Sequence, residues 1–296
     1  MSFTDYRHCD NEFSYKEVQF HGYSTPEILD GVCQFEFLPT DIVLSTFPRS
    51  GTTFTQEIIW QIKNRKFIHL DEKIENIFLR FPFLEFNHEA FPIIPDSFIN
   101  ILNRQRKSEY RLIKTHVPFK FIKENFEKPN PKMIVVMRSP KDCLVSNYYH
   151  YIGVPFHGWK GTFDEFFPIF LNGKTASGCY FDNNLEWWAL RHQKNILILF
   201  YEDILNNLKE NVLKIATFMG DELTEEELHK IVHNSTFSTM YNNSKMNISF
   251  DGKHKFIRKG VIGDWKNHFS NEQSQLIDEK VKEKFRGTDL AARFDS

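Results

Sequence analysis

Residues 46–53 read Thr-Phe-Pro-Arg-Ser-Gly-Thr-Thr and lie between two apolar stretches, residues 42–44 and 58–60. A strand that turns through Pro48 and Gly51 into a helix leaves several backbone N–H groups pointing the same way. These groups, the positive helix end, the Arg49 guanidinium and the neighbouring hydroxyls together suit a phosphate or a sulfate. An ordinary strand–turn–helix junction with a Ser or Thr cap remains the alternative, because the P-loop pattern lacks its lysine here.

A second candidate anion-binding segment lies far downstream. Residues 258–267 read Arg-Lys-Gly-Val-Ile-Gly-Asp-Trp-Lys-Asn. Two adjacent cations followed by two glycines let a backbone approach an anion closely while the side chains hold it. A solvated basic loop is the alternative, since residues 253–255 are also basic. Together the two segments predict a site for a small anion that carries several charges.

With both segments in place, the sequence resembles the cytosolic sulfotransferases, which transfer a sulfuryl group from 3′-phosphoadenosine 5′-phosphosulfate (PAPS). The family's two loops usually read Y-P-K-S-G-T-T-W and R-K-G-x-x-G-D-W-K-N. Other segments in the family's order are residues 80–86, 114–118, 138–146, 187–188 and 201–203. The resemblance covers roughly residues 35–290. It implies an α/β fold with a central parallel sheet flanked by helices, in the P-loop-NTPase-like sulfotransferase architecture.

The resemblance also implies an in-line sulfuryl transfer, in which a base takes the acceptor proton and cations stabilise the transferring group. His116 is the predicted base, because an imidazole can accept a proton near neutral pH and His116 follows a predicted strand. Lys114 lies two residues earlier and therefore on the same face of that strand. Lys114 and Arg49 are predicted to stabilise the transferring group. Phe83, Lys114 and His116 are predicted to border the acceptor.

For the donor, the resemblance implies a set of PAPS-binding residues. The 3′-phosphate of PAPS is a dianion, which needs several cations and neutral donors to hold it. The predicted cofactor-binding residues are Arg49, Ser50, Gly51, Thr52, Thr53, Phe54, Arg138, Ser146, Tyr201, Ser235, Thr236, Phe237, Ser238, Thr239, Met240, Arg258, Lys259 and Gly260. No metal is predicted, since neither loop carries an obvious metal-binding carboxylate.

Three departures from the family pattern bear on catalysis, cofactor stacking and assembly. Arg49 stands where the family usually has lysine, and an arginine can clamp two oxygens but cannot surrender a proton at accessible pH. Phe54 replaces a tryptophan, so that an adenine can still stack, but over less area. The family's dimer motif K-x-x-F-T-V-x-x-x-E loses its valine and its glutamate in residues 266–275. The sequence therefore leaves a homodimer open.

Four short apolar runs predict the strands that position these residues, at 41–47, 111–116, 133–138 and 196–201. Helix-like segments separate them, and this alternation predicts a parallel sheet covered on both faces. Functional residues in such sheets lie beyond the carboxyl ends of the strands, as Arg49, His116, Arg138 and Tyr201 do here. Residues 271–285 predict a surface helix, and residues 234–267 a long loop. With no linker or repeat, we expect one domain over residues 1–296.

Composition narrows the class of partner. The chain has 37 Lys plus Arg against 39 Asp plus Glu, a net charge of −2, which argues against nucleic-acid binding. No apolar stretch reaches the roughly 18 residues of a membrane span, and the first residues lack the apolar core of a signal peptide. The four cysteines are widely spaced, as expected of reduced thiols. These features predict a cytoplasmic protein that acts on a small-molecule acceptor.

Three functions compete on the sequence alone. The first is an active sulfotransferase that moves a sulfuryl group to a hydroxyl or amine of a small, apolar acceptor. The second is a catalytically weak family member that binds PAPS or adenosine 3′,5′-bisphosphate (PAP), a reading that Arg49 and Phe54 keep open. The third is a P-loop kinase, which the missing lysine disfavours. Phenols, steroids, retinoid-like alcohols and amines all fit a phenylalanine-lined pocket, so the acceptor stays open too.

Overall fold

The computed structural model describes residues 12–20, 22–65, 77–90, 94, 96–155, 157–243, 246–249 and 253–294. The strands of this part are Phe13–Tyr15 (β1), Val18–Phe20 (β2), Ile42–Thr46 (β3), Leu112–Thr115 (β4), Lys132–Met137 (β5) and Ile196–Phe200 (β6). Strands β3 to β6 form one parallel sheet in the order β4-β3-β5-β6. All four predicted strands and their parallel arrangement are therefore confirmed.

The α-helices of the described residues separate and flank these strands. They are Pro26–Cys33 (α1), Thr52–Lys63 (α2), Ile77–Arg80 (α3), Phe98–Arg104 (α4), Lys123–Glu127 (α5), Pro140–Gly153 (α6), Phe163–Leu171 (α7), Tyr180–Ala189 (α8), Tyr201–Asn206 (α9), Leu208–Met219 (α10), Glu225–Asn234 (α11), Phe237–Asn242 (α12) and Asn271–Lys284 (α13). None of these helices is both long enough and apolar enough to cross a membrane.

Both faces of the sheet are buried. Side chains alternate along a strand, so Val43 of β3 joins one hydrophobic cluster while Ile42 and Leu44 join another. The first cluster includes residues of α6, α7, α8 and α13, and the second includes residues of α2, α10 and α11. Strands buried on both sides read as continuous apolar runs, which is why the sequence pattern located them.

The strand order creates a natural place for a ligand. Strand β3 lies in the middle of the sheet, the next strand β4 pairs on one side of it, and β5 pairs on the other. The chain therefore changes direction across the sheet between β3 and β5. Ligands of open α/β sheets bind beyond the carboxyl ends of the strands at such a point.

Two parts of the chain differ from the sequence expectation. The predicted loop at 234–267 contains helix α12 and a 3₁₀ helix at Asp264–Asn267. Helix α12 has a local start signal, because the Thr236 side chain accepts the backbone N–H of Thr239. The hairpin β1–β2 was not predicted, since Lys16 and Glu17 form its turn with positive φ and lack the usual Asn-Gly pattern. The predicted helix at 271–285 is confirmed as α13.

Candidate active site

A cleft beyond the carboxyl ends of the strands brings most of the predicted site residues together. Those that line it are Arg49, Gly51, Thr52, Thr53, Phe54, Phe83, Lys114, His116, Arg138, Ser146, Tyr201, Phe237, Met240, Arg258, Lys259 and Gly260. The other five predicted residues, all within the described chain, are not part of this lining: Ser50, Ser235, Thr236, Ser238 and Thr239. The structure thus brings together sixteen of the predicted positions, which come from segments that lie far apart in the sequence.

The loop from β3 to α2 presents an open helix end to this cleft. Gly51 is the N-cap of α2, which has no side-chain cap and no acidic residue in its first turn. The φ of Gly51 is 106°, and a Cβ on it would lie 2.6 Å from the ring of Tyr201. Glycine is therefore required here for both its backbone angle and the close approach. An uncapped helix end of this kind leaves its backbone N–H groups available to an anion.

Arginine side chains gather beside this helix end. Arg138, which follows β5, donates from Nη1 to the carbonyl of Arg49 at 3.0 Å and lies 4.4 Å from the ring centre of Tyr201. Its Nε is buried and has no hydrogen-bond partner among the residues that the structure describes. Burial, together with the charges of Arg138 and Arg258, lowers the pKa of Arg49 to about 10. The cluster therefore holds concentrated positive charge, which an anion would offset.

The Arg49 guanidinium contacts Ser146 of α6 and Phe256. Its Nε donates to the Ser146 hydroxyl at 3.2 Å, and its Nη2 donates to the carbonyl of Phe256 at 2.8 Å. The guanidinium carbon also lies 4.7 Å from the centre of the Phe256 ring. These contacts hold Arg49 next to Ser146, a residue predicted for the 3′-phosphate, while its charge still acts on His116.

The second loop is organised by one buried carboxylate. Asp264 accepts hydrogen bonds from Arg258 at 2.6 Å and from Lys259 at 2.8 Å. Burial opposes its ionisation, but the hydrogen bonds from Lys259 and Arg258 prevail and hold the pKa of Asp264 well below its usual range. Both cations of the loop are therefore positioned before any ligand arrives. Gly260, with φ of 62°, lies so close to Phe237 that a Cβ would be 2.1 Å from its ring.

The segment from Ser235 to Met240 contributes less to the cleft than its length implies. Only Phe237 and Met240, of these six residues, line it. The hydroxyls of Thr236 and Thr239 donate to the backbone carbonyl of His233. These bonds therefore stabilise the turn that leads into α12. Ser235 is fully buried. A role in cofactor binding for the hydroxyl residues of this segment stays a prediction.

His116 is held in one tautomer. Its Nδ1 lies 2.8 Å from the carbonyl oxygen of Thr46, which can only accept a hydrogen bond. Nδ1 therefore carries the proton of the neutral imidazole, and the lone pair is on Nε2. Burial, reinforced by the charge of Lys114, lowers the pKa of His116 to about 3. The Nε2 lone pair can still accept a proton, but the lowered pKa makes His116 a weaker base than the ordinary imidazole that the sequence predicted.

Lys114 and Phe83 are placed side by side by a short extension of the sheet. Phe83 forms a parallel bridge with Lys114, in which the backbone N–H of Leu84 donates to the Lys114 carbonyl at 2.8 Å. The Lys114 ammonium lies 4.3 Å from the centre of the Phe83 ring. Burial lowers the pKa of Lys114 to about 8, although the nearby Glu85 opposes this shift. Glu85 also accepts the backbone N–H of His116, which fixes the end of β4.

Several residues of the cleft were not predicted. They include Tyr23, Phe78, Phe86, Asn147, His150, Tyr151, His157, Ala176 and Phe256. His150 could have been found, because it is four residues after Ser146 on α6 and helical neighbours at that spacing share a face. Tyr23, His157 and Phe256 lie in segments outside the strands and α-helices, where no local pattern indicates direction.

Comparison with known proteins agrees with this arrangement. A family model described as a sulfotransferase domain matches residues 39–289. Rabbit (Oryctolagus cuniculus) sulfotransferase 1C2 is 36% identical over 266 residues, which are 86% of each chain. The mouse (Mus musculus) sulfotransferase 1 family member D1 is 34% identical over 278 residues, 92% of each chain.

Solved structures with the same fold include two PAP complexes. Mouse sulfotransferase SULT7A1 complexed with PAP superposes with a TM-score of 0.79 at 26% identity, over 96% of this chain and 98% of that one. Retinol dehydratase with androsterone and the inactive cofactor PAP gives a TM-score of 0.80 at 27% identity, over 91% and 89%. The sequence match over most of the chain, on the fold described above, establishes that the protein belongs to the sulfotransferase domain family.

Proposed function

We propose that this protein is a cytoplasmic sulfotransferase that moves a sulfuryl group from PAPS to the hydroxyl of a small, apolar acceptor. The observation that carries the proposal is one cleft that joins an uncapped helix end and three arginines to a neutral histidine. The helix end and the arginines suit a nucleotide with several phosphate charges, and the histidine suits proton removal. The PAP complexes of the two structural neighbours support the choice of donor.

The donor set fits PAPS by its chemistry. Arg138 has a buried Nε without a described partner, and Gly51 and Gly260 line the cleft where a Cβ would clash with the rings of Tyr201 and Phe237, respectively. Arg138, Ser146, Arg258 and Lys259 would hold the 3′-phosphate through charge-assisted hydrogen bonds. PAPS, when bound, supplies an activated sulfuryl group. An aromatic pair near the helix end, Phe54 and Tyr201, has ring centres 6.2 Å apart and lines the same region.

In this proposal His116 removes the acceptor proton. The Thr46 carbonyl keeps the proton on Nδ1, so Nε2 takes the proton of the acceptor hydroxyl. The imidazolium that results would lie beside the Thr46 carbonyl, which stabilises it by accepting the Nδ1 hydrogen bond. Lys114 would stabilise the negative charge on the transferring group as a point charge. Arg49 would contribute a fixed positive charge and no proton.

We expect PAP to stabilise the protein against heat without added metal. A ligand that binds only the folded state at about 100 times its dissociation constant adds about 2.7 kcal/mol to the free energy of unfolding. Because cations surround the proposed 3′-phosphate position, AMP should give much less stabilisation than PAP at equal concentration. Differential scanning fluorimetry with PAP, AMP and ATP, each with and without Mg²⁺, measures this.

The same experiment separates the competing functions. Equal melting shifts with AMP and PAP, or a shift that requires Mg²⁺, would contradict PAPS as donor and favour a nucleotide kinase. A large metal-independent shift with PAP, combined with no transfer of label from radioactive PAPS to any acceptor, would identify a binding protein without turnover.

The pH dependence of turnover should follow Lys114 and not His116. His116, with a pKa near 3, is neutral throughout the range from about pH 5 to about pH 9, so no acid limb is expected near the usual histidine pKa of about 6.5. Lys114, with a pKa of about 8, is charged below that pH and loses its charge above it. The value of kcat/KM for PAPS, which reports on the free enzyme, should therefore fall as pH rises through about 8.

Lys114→Arg is the matched variant for this experiment, because arginine keeps its charge over the whole range. In this variant, kcat/KM should no longer fall at high pH within the measured range, from about pH 5 to about pH 9. The acceptor should be an alcohol, whose hydroxyl does not ionise there and so adds no limb of its own. If kcat/KM of Lys114→Arg fell at high pH as it does in the unchanged protein, a group other than Lys114 would cause the fall.

A further inference from the structure

Three nearly parallel aromatic rings, stacked with an offset, form a wall on the acceptor side of the cleft. The rings of Tyr23, Phe83 and Phe86 have centres 5.4 to 6.4 Å apart and planes within 14° to 28° of one another. The ring of Phe83 also meets that of His116 edge-on, with centres 4.9 Å apart. The wall therefore begins at the proposed base and ends at Tyr23. An aromatic acceptor could pack against this wall with its hydroxyl at His116.

A buried imidazole stands at the far end of this wall. His157 is 2% exposed and lines the cleft, and its ring centre is 6.3 Å from that of Tyr23. It stacks on Tyr151 with the planes 5° apart and the centres 4.4 Å apart. The Tyr151 hydroxyl accepts the backbone N–H of Ala176 at 2.7 Å, so this ring cannot easily turn. His157 is thereby fixed in orientation. The ring centre of a second imidazole, that of His150, lies 4.6 Å from the ring centre of His157.

The charges of the cleft are of one sign. Its formally charged lining residues are Arg49, Lys114, Arg138, Arg258 and Lys259, and within the described part of the chain no Asp or Glu lines it. Bound PAPS would offset the cations at the donor end. The acceptor end would then contain the imidazoles of His150 and His157 and, among the described residues, no carboxylate. Such a surface is favourable for a hydrogen-bond acceptor or an anion, and unfavourable for an ammonium group.

We infer that His157 binds a carboxylate or carbonyl group of the acceptor, at the end of the molecule remote from the hydroxyl that is sulfated. The preferred acceptors are therefore aromatic alcohols that carry such a second group, and protonated amines are rejected. This inference rests on the proposed function, and it narrows the acceptor classes that the sequence left open. The ring of His150, which is on α6, packs against that of His157 and forms part of the same end of the cleft.

Three phenols of similar shape test the inference: para-hydroxyphenylpropionate, para-propylphenol and tyramine. They carry a carboxylate, a methyl group and an ammonium group at the same end. Their dissociation constants are measured by titration calorimetry with the PAP-loaded protein, which does not require turnover. The propionate should bind about tenfold more tightly than propylphenol, the scale of one hydrogen bond to a charged group, and tyramine should bind most weakly.

Substitution of His157 shows whether this residue is responsible. His157→Phe keeps an aromatic ring but removes the N–H, so the propionate and propylphenol should bind almost equally. His157→Gln keeps an N–H donor and should restore part of the preference. His229→Phe, at an exposed histidine of α11, is the control and should leave all three constants unchanged. The melting shift with PAP verifies that each variant is folded.

Two results would overturn the inference. One is that His157→Phe binds the three phenols with the same order of affinities as the unchanged protein. The other is tightest binding of tyramine, which would show that a negative group faces the acceptor. A protein that does not bind PAP would instead overturn the proposed function. The phenol titrations would then be made without PAP, and their order would still decide the role of His157.

Discussion

Replacement of His116 by alanine is expected to lower kcat by about 10² to 10⁴, the usual contribution of a general base. The expected loss is large because Nε2 of His116 is the proposed acceptor of the hydroxyl proton, and alanine offers no substitute. PAP affinity should change little, since the base acts on the acceptor and not on the nucleotide. Turnover is measured with radiolabelled PAPS, and PAP binding by the melting shift.

A histidine far from the cleft provides the control. His192 is exposed, and His192→Ala should keep full turnover. If His116→Ala retained turnover within about threefold of the unchanged protein, well below the scale of a general base, another group would have to remove the proton. If His116→Ala lost PAP binding as well, the loss of turnover would reflect a damaged site and would not assign the base.

Replacement of Arg111 by alanine should destabilise the fold by about 3–5 kcal/mol, the cost of leaving one member of a buried ion pair alone. Arg111 and Asp41 are almost completely buried just before β4 and β3, respectively. Two hydrogen bonds of 2.7 and 2.6 Å join them. The guanidinium also donates to the carbonyls of Leu102 and Glu36. Loss of Arg111 would leave the Asp41 carboxylate buried without its charge partner.

Urea unfolding of the unchanged protein and of Arg111→Ala measures this difference. The exposed pair Lys209–Glu225, with side chains 52% and 75% exposed, is the control. Lys209→Ala should change the free energy of unfolding by less than about 1 kcal/mol. Arg111 lies at the amino end of β4, whereas the cleft lies beyond the carboxyl ends of the strands. The PAP affinity of folded Arg111→Ala should therefore be unchanged. An unfolding free energy close to that of Lys209→Ala would show that water reaches Asp41 and replaces the pair.

Local patterns in the sequence were enough to predict the sheet and the loops that carry the proposed anion-binding residues. Strands β3, β4 and β5 are buried on both faces and β6 is buried over most of its length, and such strands contain a continuous apolar run. The positions of Arg49 and Gly51 follow from the turn between a strand and a helix, which needs special residues at fixed spacing. Patterns of this kind depend only on neighbours in the chain.

The direction of each side chain was decided by the tertiary structure. The sequence placed Arg49 in the first loop, but its contacts with Ser146 and Phe256 depend on segments far away in the chain. The tautomer of His116 depends on the carbonyl of Thr46 in the adjacent strand. His157 lines the cleft in contact with Tyr151 and Tyr23, which come from two other segments of the chain. Contacts between distant segments exist only after folding, and they leave no periodic signal in the sequence from which they could be predicted.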